Sequence, residues 1–456
     1  MSNIKSAIIA LPVLLCTASA SARAAGFIED SKATISLRNM YYNSDYRSPN
    51  SYPKQNEWGQ GFRLDFQSGY TPGTVGFGVD ALGLLGIRLD GGGKSGTNNS
   101  SRNPSPNAGA GNLFPVDSDN KAVSDFGNVG LTGKVKISKT EAKVGTLLPK
   151  LPVVVSNDGR LLPQTYTGGQ ITSKELDGLI LIAGQLKSAK GRASTDDDPL
   201  SMSGARFGAD TNKFYYGGAD YQLSKNLLGQ YYYGQLQDFY AQHFLGVIHD
   251  MSLPVGTLKT ELRYWYSISD GKNSSASGRA DGYLASGYYG TSAGVPINRG
   301  EVDNRTWSAS LTYGIGGSAI TAAYQKVNGD SNFPFINQGD VYRGSSGAGT
   351  YLITERQLTN FSRSGESTVY GQYNYDFAAL GVPGLSAGVT YLNGNNIRSA
   401  NGSLSEWERD IALSYVIQSG PIKGLSINLR NAMLRSDVAG NVDQNRLIFN
   451  YAIALF

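Results

Sequence analysis

Residues 445–456 read "NRLIFNYAIALF", and the spacing within this stretch decides the fold. Leu447, Phe449, Tyr451, Ile453 and Leu455 fall at every second position, with Arg446 and Asn450 between them. A period of two is that of an extended strand whose two faces meet different surroundings. An apolar face and a polar face suit a strand with lipid on one side and a wet interior on the other. In hydrocarbon an open sheet edge would leave backbone groups unpaired at a cost of several kcal/mol each, so this strand must pair with another. The first alternating stretch, residues 32–42, is the expected partner.

The same alternation recurs along the chain. Phe62, Leu64 and Phe66 interleave with Arg63, Asp65 and Gln67; Trp307, Ala309, Leu311 and Tyr313 with polar Thr and Ser; Leu385, Ala387, Val389 and Tyr391 with Ser386, Gly388 and Thr390. About eighteen such segments can be counted, with little helical spacing. Tight connectors rich in Pro and Gly, such as Thr71-Pro72-Gly73, 252–256, 314–317 and 418–424, largely alternate with long ones at 43–57, 91–126, 149–177, 269–302, 328–365, 393–405 and 435–445. This arrangement predicts an all-β, 18-stranded antiparallel transmembrane barrel with short periplasmic turns and long extracellular loops. The segment 188–202 is too long and polar for the turn expected there. Tyr70, Tyr221, Tyr391 and Tyr415, at strand ends, read as an interfacial girdle, with ordinary core tyrosine as the alternative.

Composition agrees with export to an envelope. The chain of 456 residues has 58 Gly, 28 Tyr and one Cys, and its net charge of +4 names no partner. Residues 1–25 are expected to be a signal peptide: Lys5, an apolar run from Ala7 to Cys16, and a small-residue site at Ala22-Arg23-Ala24. The rest, 26–456, is expected to be one barrel domain. No later apolar run is long enough for a spanning helix, and no plug domain fits before the first strand. Two histidines, His243 and His249, lack a third ligand or a serine partner, and no phosphate or dinucleotide loop is present. No enzyme activity, cofactor or metal is expected, and no nucleic-acid partner.

Strand parity assigns arginines to the lumen, because an Arg facing mid-membrane lipid costs about 2–4 kcal/mol. Arg430 and Arg446 point inward, as do Arg63, Arg88 and Arg263; Arg409 points outward, with Glu408 and Asp410 inward. Inward guanidinium groups could hand a carboxylate along a wet path. Alternatively they balance neighbours, Arg63 with Asp65 or Arg88 with Asp80. An 18-stranded barrel needs narrowing, and 149–177 carries Leu151, Val153, Val154, Val155, Leu161 and Leu162, too apolar for a solvated loop. It is expected to pack on the inner wall and present Arg160 and Tyr166 to the lumen, or else to lie over the barrel mouth.

Five stretches carry a family resemblance: "GFIEDSKATISLRNMYYNSDYR" from Gly26, "GRLLPQTYTGGQITSKELDGL" at 159–179, "AYQKVNGD" at 323–330, "YVIQSGPIKGLSINLRNAMLRS" at 415–436, and the closing segment. With these the chain resembles the OprD family of outer-membrane porins, from Gly26 to Phe456. The resemblance implies a monomeric 18-stranded pore in the Gram-negative outer membrane, or a homotrimer of such pores, with the third loop folded inward. It also implies a ladder of basic residues for small carboxylates. By motif position Arg47, Arg160, Arg192, Arg430 and Arg446 match ladder residues, whereas Asn428 stands where some members have an arginine. Asn360, in "QLTNF", and the closing segment tilt the expectation toward aromatic or other small carboxylates over basic amino acids. A general diffusion porin, or a surface receptor or adhesin acting through its loops, is the alternative.

Overall fold

The structure is a computed structural model that describes residues 26–47, 54–92, 111–118, 121–338 and 348–456; the signal-peptide reading lies outside them. Among the described residues, eighteen strands form one closed antiparallel barrel. They are β1 Lys32–Tyr46, β2 Gln55–Gln67, β3 Val75–Asp90, β4 Asp125–Ile137, β5 Thr140–Leu147, β6 Thr165–Ser173, β7 Leu179–Lys190, β8 Phe214–Ser224 and β9 Leu227–Leu236. The second half is β10 Tyr240–Ser252, β11 Thr257–Ser269, β12 Asp303–Ile315, β13 Ser318–Asn328, β14 Ser367–Asp376, β15 Leu385–Ser399, β16 Gly402–Val416, β17 Ser426–Ser436 and β18 Val442–Ala454. Each strand pairs with its chain neighbour, and β18 pairs with β1 from Thr34↔Ala454 to Tyr46↔Val442, so no edge remains.

Alternation fixes the two faces. Phe77, Val129, Leu131, Val144, Leu245, Leu311, Val369 and Leu429 are exposed on the outer wall, where lipid rather than water would cover them. Tyr221, Tyr391 and Tyr415 are exposed too, but Tyr70 turns inward from its periplasmic turn to donate to Glu141. Arg409 lies on the outer face and donates to Asn431, which in turn donates to Asn445 at 2.8 Å.

Two expectations are corrected. Residues 149–177 are not one loop: loop 3 ends at Gln164, and β6 follows. Its sequence "TYTGGQITS" alternates weakly because Gly168 replaces a side chain where the backbones crowd; a Cβ there would sit 2.1 Å from the Gln185 carbonyl oxygen, beside a register shift. Counting β6 sends 174–178 to the periplasmic end and makes 191–213, which takes in most of the resisting stretch 188–202, an extracellular loop (loop 4). Likewise 393–405 is no long loop, since β15 and β16 continue outward to pair Ser399 with Gly402 past an irregularity at Gly394/Ile397.

Loop 3, 148–164, crosses the lumen. At one end Leu151, Val153 and Val154 join an aromatic cluster with Tyr166, Tyr216, Tyr232, Phe244 and Trp265 from the inner faces of β6 to β11. At the other, Leu161 and Leu162 pack with Met40, Tyr42, Leu82, Leu84, Phe114 and Phe126. Burying each of these leucines contributes about 1.5–3 kcal/mol, which explains why so apolar a loop folds inward. Loop 7, 329–366, enters from above; a bridge between Val155 and Gly349 joins the two loops, and Phe361 is fully buried against Ala323, Tyr370 and Leu392.

Candidate functional site

Loops 3, 4 and 7 and the inner faces of β14 to β18 enclose a wet cavity of about 690 Å³. Five arginines line it, Arg160, Arg192, Arg356, Arg430 and Arg446, with Glu355 and Asp410 as the acids and Asn360 and Gln372 among the neutral groups. Cross-strand register sets Arg430 directly beside Arg446.

The five are held differently. Arg446 is 4% exposed. Its Nε donates to Gln444 at 2.7 Å, Nη2 to the Gln357 carbonyl of loop 7 at 3.0 Å, and Nη1 to the Gly159 carbonyl of loop 3 at 3.4 Å. One buried guanidinium thus ties both loops to the wall. Arg192 is also buried, donating to Asn157 at 2.9 Å. Burial, then the like charges of Arg160 and Arg446, pull its pKa below the usual arginine value, yet a guanidinium stays charged. Arg160 lies over the Tyr42 ring at 4.9 Å, and Arg356 over Tyr370 at 4.5 Å. Arg430 is exposed to the cavity and, among the described residues, has neither a hydrogen bond nor an ion pair. Burial raises the pKa of Glu355, in loop 7, to about 7 despite its hydrogen bond from Thr350 and the nearby Arg192, so this acid is only part-ionised near neutrality.

A family model described as outer membrane porin, OprD family, matches residues 25–455. The chain is an OprD-family porin. It is 36% identical to the porin-like protein GalP of Pseudomonas putida, covering 95% of this chain and 94% of that one. Among solved structures it is similar to Pseudomonas aeruginosa OccK8 (OprE), with 53% identity, a TM-score of 0.85 and coverage of 95% and 100%. It is also similar to Pseudomonas aeruginosa OpdK with vanillate, with 35% identity, a TM-score of 0.79 and coverage of 94% and 100%. These are substrate-specific outer-membrane channels, and the family together with the barrel places this porin in the outer membrane of a Gram-negative bacterium.

Of the residues singled out in the sequence, the structure gathers Arg160, Arg192, Arg430 and Arg446 into one cavity. Arg47 is elsewhere: it sits beyond the end of β1 at the extracellular rim, 2.6 Å from Asp443, and does not line the constriction. Tyr166 does not face the open lumen, because loops 3 and 7 cover it at 1% exposure. Arg63 pairs with Asp65 at 2.7 Å, and Arg263 with Glu261 at 2.6 Å while stacking on Tyr351. Arg88 donates to the Ala122 carbonyl of loop 2, the 91–124 connection between β3 and β4; Asp80 pairs instead with Lys134 at 2.6 Å. Sequence reasoning missed Arg356 and also Arg38, which flanks a cavity of about 400 Å³ with Arg63 and binds Asp158 of loop 3 at 2.7 Å. Its position in β1, an even-numbered inward site beside Ser36 and Met40, was the available signal.

Proposed function

We propose that this porin passes small carboxylates by passive diffusion, with Arg430 as the group that receives the carboxylate at the constriction and Arg160 as its neighbour on the path. The observation that carries this reading is the cavity-facing guanidinium of Arg430, without a partner among the described residues, in a cavity where four other arginines add positive field. A guanidinium with all its donors available takes a carboxylate through two parallel hydrogen bonds. Arg192 and Arg446, already engaged with the protein, contribute field and shape rather than a docking fork.

The substrate class is monocarboxylates of aromatic or similar size in preference to basic amino acids. Asn360, a neutral side chain, lines the cavity, and Glu355 is held part-neutral by burial, so an ammonium group meets Asp410 as the remaining acid against five arginines. The vanillate carried by the OpdK structure, an aromatic carboxylate, is consistent with this. Each chain closes its own barrel and so carries its own pore, whether alone or in a homotrimer. Liposome swelling across benzoate-type acids, arginine and neutral sugars tests the proposal. Arg430→Ala should lower carboxylate flux about five- to tenfold, the loss of a charge-assisted hydrogen-bond pair discounted for the wet site, with sugar flux unchanged. Equal loss for sugars, or no loss for carboxylates, would refute it, and the first of these results would favour a general diffusion pore.

A further inference from the structure

Consecutive inward positions of β16 carry three acids, Glu406, Glu408 and Asp410. In a wet lumen such a column would be solvated, yet Glu406 and Glu408 are 1% and 0% exposed. Loop 7 covers them. The two carboxylate oxygens of Glu408 each accept a backbone N–H from this loop, Leu358 and Thr359, both at 2.9 Å. We propose that Glu408 is a positioning residue of the pore: its carboxylate hooks loop 7 to the wall and thereby sets the width of the constriction.

Three facts single out Glu408 within the column. Leu358 and Thr359 directly follow Arg356 and Gln357, and Gln357 supplies the carbonyl that Arg446 binds, so the hook fixes the part of the loop that faces the cavity. Glu406 accepts from Ser436 at 2.6 Å and lies 3.6 Å from Arg363, which is further along the loop and away from the opening. Four strands further round the wall the same device recurs: Glu57 of β2, 0% exposed, accepts the N–H groups of Gly111, Asn112 and Leu113 at 3.1, 2.9 and 3.1 Å and so holds loop 2. Among the described residues no carboxylate hooks the backbone of loop 3 in this way; its leucines and valines hold it, together with Arg38 and Arg446. Removing an acceptor that serves two buried N–H groups leaves both without partners, a cost the loop escapes by lifting into water.

The inference does not rest on the carboxylate reading, because it is measured with potassium chloride alone. Glu408→Ala, Glu408→Gln and Glu408→Asp are refolded, checked for the heat-modifiable gel shift of a closed barrel, and recorded as single channels. In Glu408→Ala unitary conductance should rise about twofold as the narrowing relaxes, with greater open-channel noise. Glu408→Gln, which keeps the shape and one acceptor, should lie between it and the wild type, and Glu408→Asp nearest the wild type. If Glu408→Ala and Glu408→Gln shift only the reversal potential, equally and with unchanged conductance and noise, the residue contributes charge and not position, and the proposal fails. Should Glu408→Ala not close its barrel, Glu408→Gln decides alone, and wild-type noise there overturns the proposal.

Discussion

Replacing Arg446 by lysine is expected to turn a quiet constriction into a flickering one while leaving its charge in place. The guanidinium reaches three acceptors in three directions, one on the wall and one on each of loops 3 and 7. A lysine has a single nitrogen and cannot span them. Hydrogen bonds to a charged donor contribute about 1.5–3 kcal/mol each. The 3.4 Å bond to Gly159 counts least, so losing the two loop contacts should cost about 2–4 kcal/mol. At about 1.4 kcal/mol per tenfold, the loop 3 to loop 7 contact would open some 30- to 1000-fold more often. Crowding by Arg160 and Arg430 is the same in both proteins, because lysine keeps the charge, so the substitution isolates geometry. Single-channel recording in planar bilayers reads the opening as open-channel noise and short sublevels. A lysine variant as quiet as the wild type, with carboxylate flux reduced, would show that Arg446 is a rung of the path and not a strut, and the reasoning would be wrong.

Three further outcomes are expected. Gly61→Val should push loop 3 off the wall, since a Cβ at 61 would stand 2.9 Å from the Leu161 carbonyl oxygen; conductance should increase in a barrel that still resists detergent, and unchanged conductance would mean that the wall yields instead. Tyr42→Leu removes the ring beneath Arg160 and the hydroxyl that accepts from Gln444 at 2.8 Å. A cation–ring contact is worth about 0.5–2 kcal/mol, so half-saturation by a carboxylate should weaken about two- to tenfold in competitive swelling assays. Glu355, its pKa raised by burial to about 7, is neutral below that pH and ionised above it. The anion-to-cation permeability ratio should therefore fall as pH rises from about 6 to 8, and Glu355→Gln should flatten the profile; a flat wild-type profile would contradict this.

Much of the barrel was legible because its rule is local. A residue's parity within a strand fixes whether it meets lipid or lumen, and that sufficed for the β18 to β1 seam, for the inward turn of Arg430 and Arg446, and for the outward turn of Arg409. Where alternation is weak the rule failed: the glycines of Thr165–Ser173 hid β6, and its loss reversed the apparent end of 188–202. The constriction was legible only in part. Apolar residues marked loop 3 as inward-folding, but which of two walls each residue would meet depends on tertiary packing. Tyr166 and Arg160 accordingly met different fates. Arg47 and Arg192 illustrate the same limit, since both lie at loop ends, where position follows from the acceptor each side chain finds, Asp443 for one and Asn157 for the other. Glu57 and Glu408 look like ordinary lumen acids until the loops that they hold are seen.

The aromatic cluster over β6 to β11 fills one side of the barrel, while the cavity opens along β14 to β18. The hole is therefore eccentric, with Arg430 and Arg446 on its wall side and Arg160, Arg192 and Arg356 on its loop side, so a molecule in transit has guanidinium groups on either flank. On the proposed carboxylate function such an off-centre gap would sort solutes by where their charge sits as well as by size, since an acid group would find a guanidinium whichever flank it turned to.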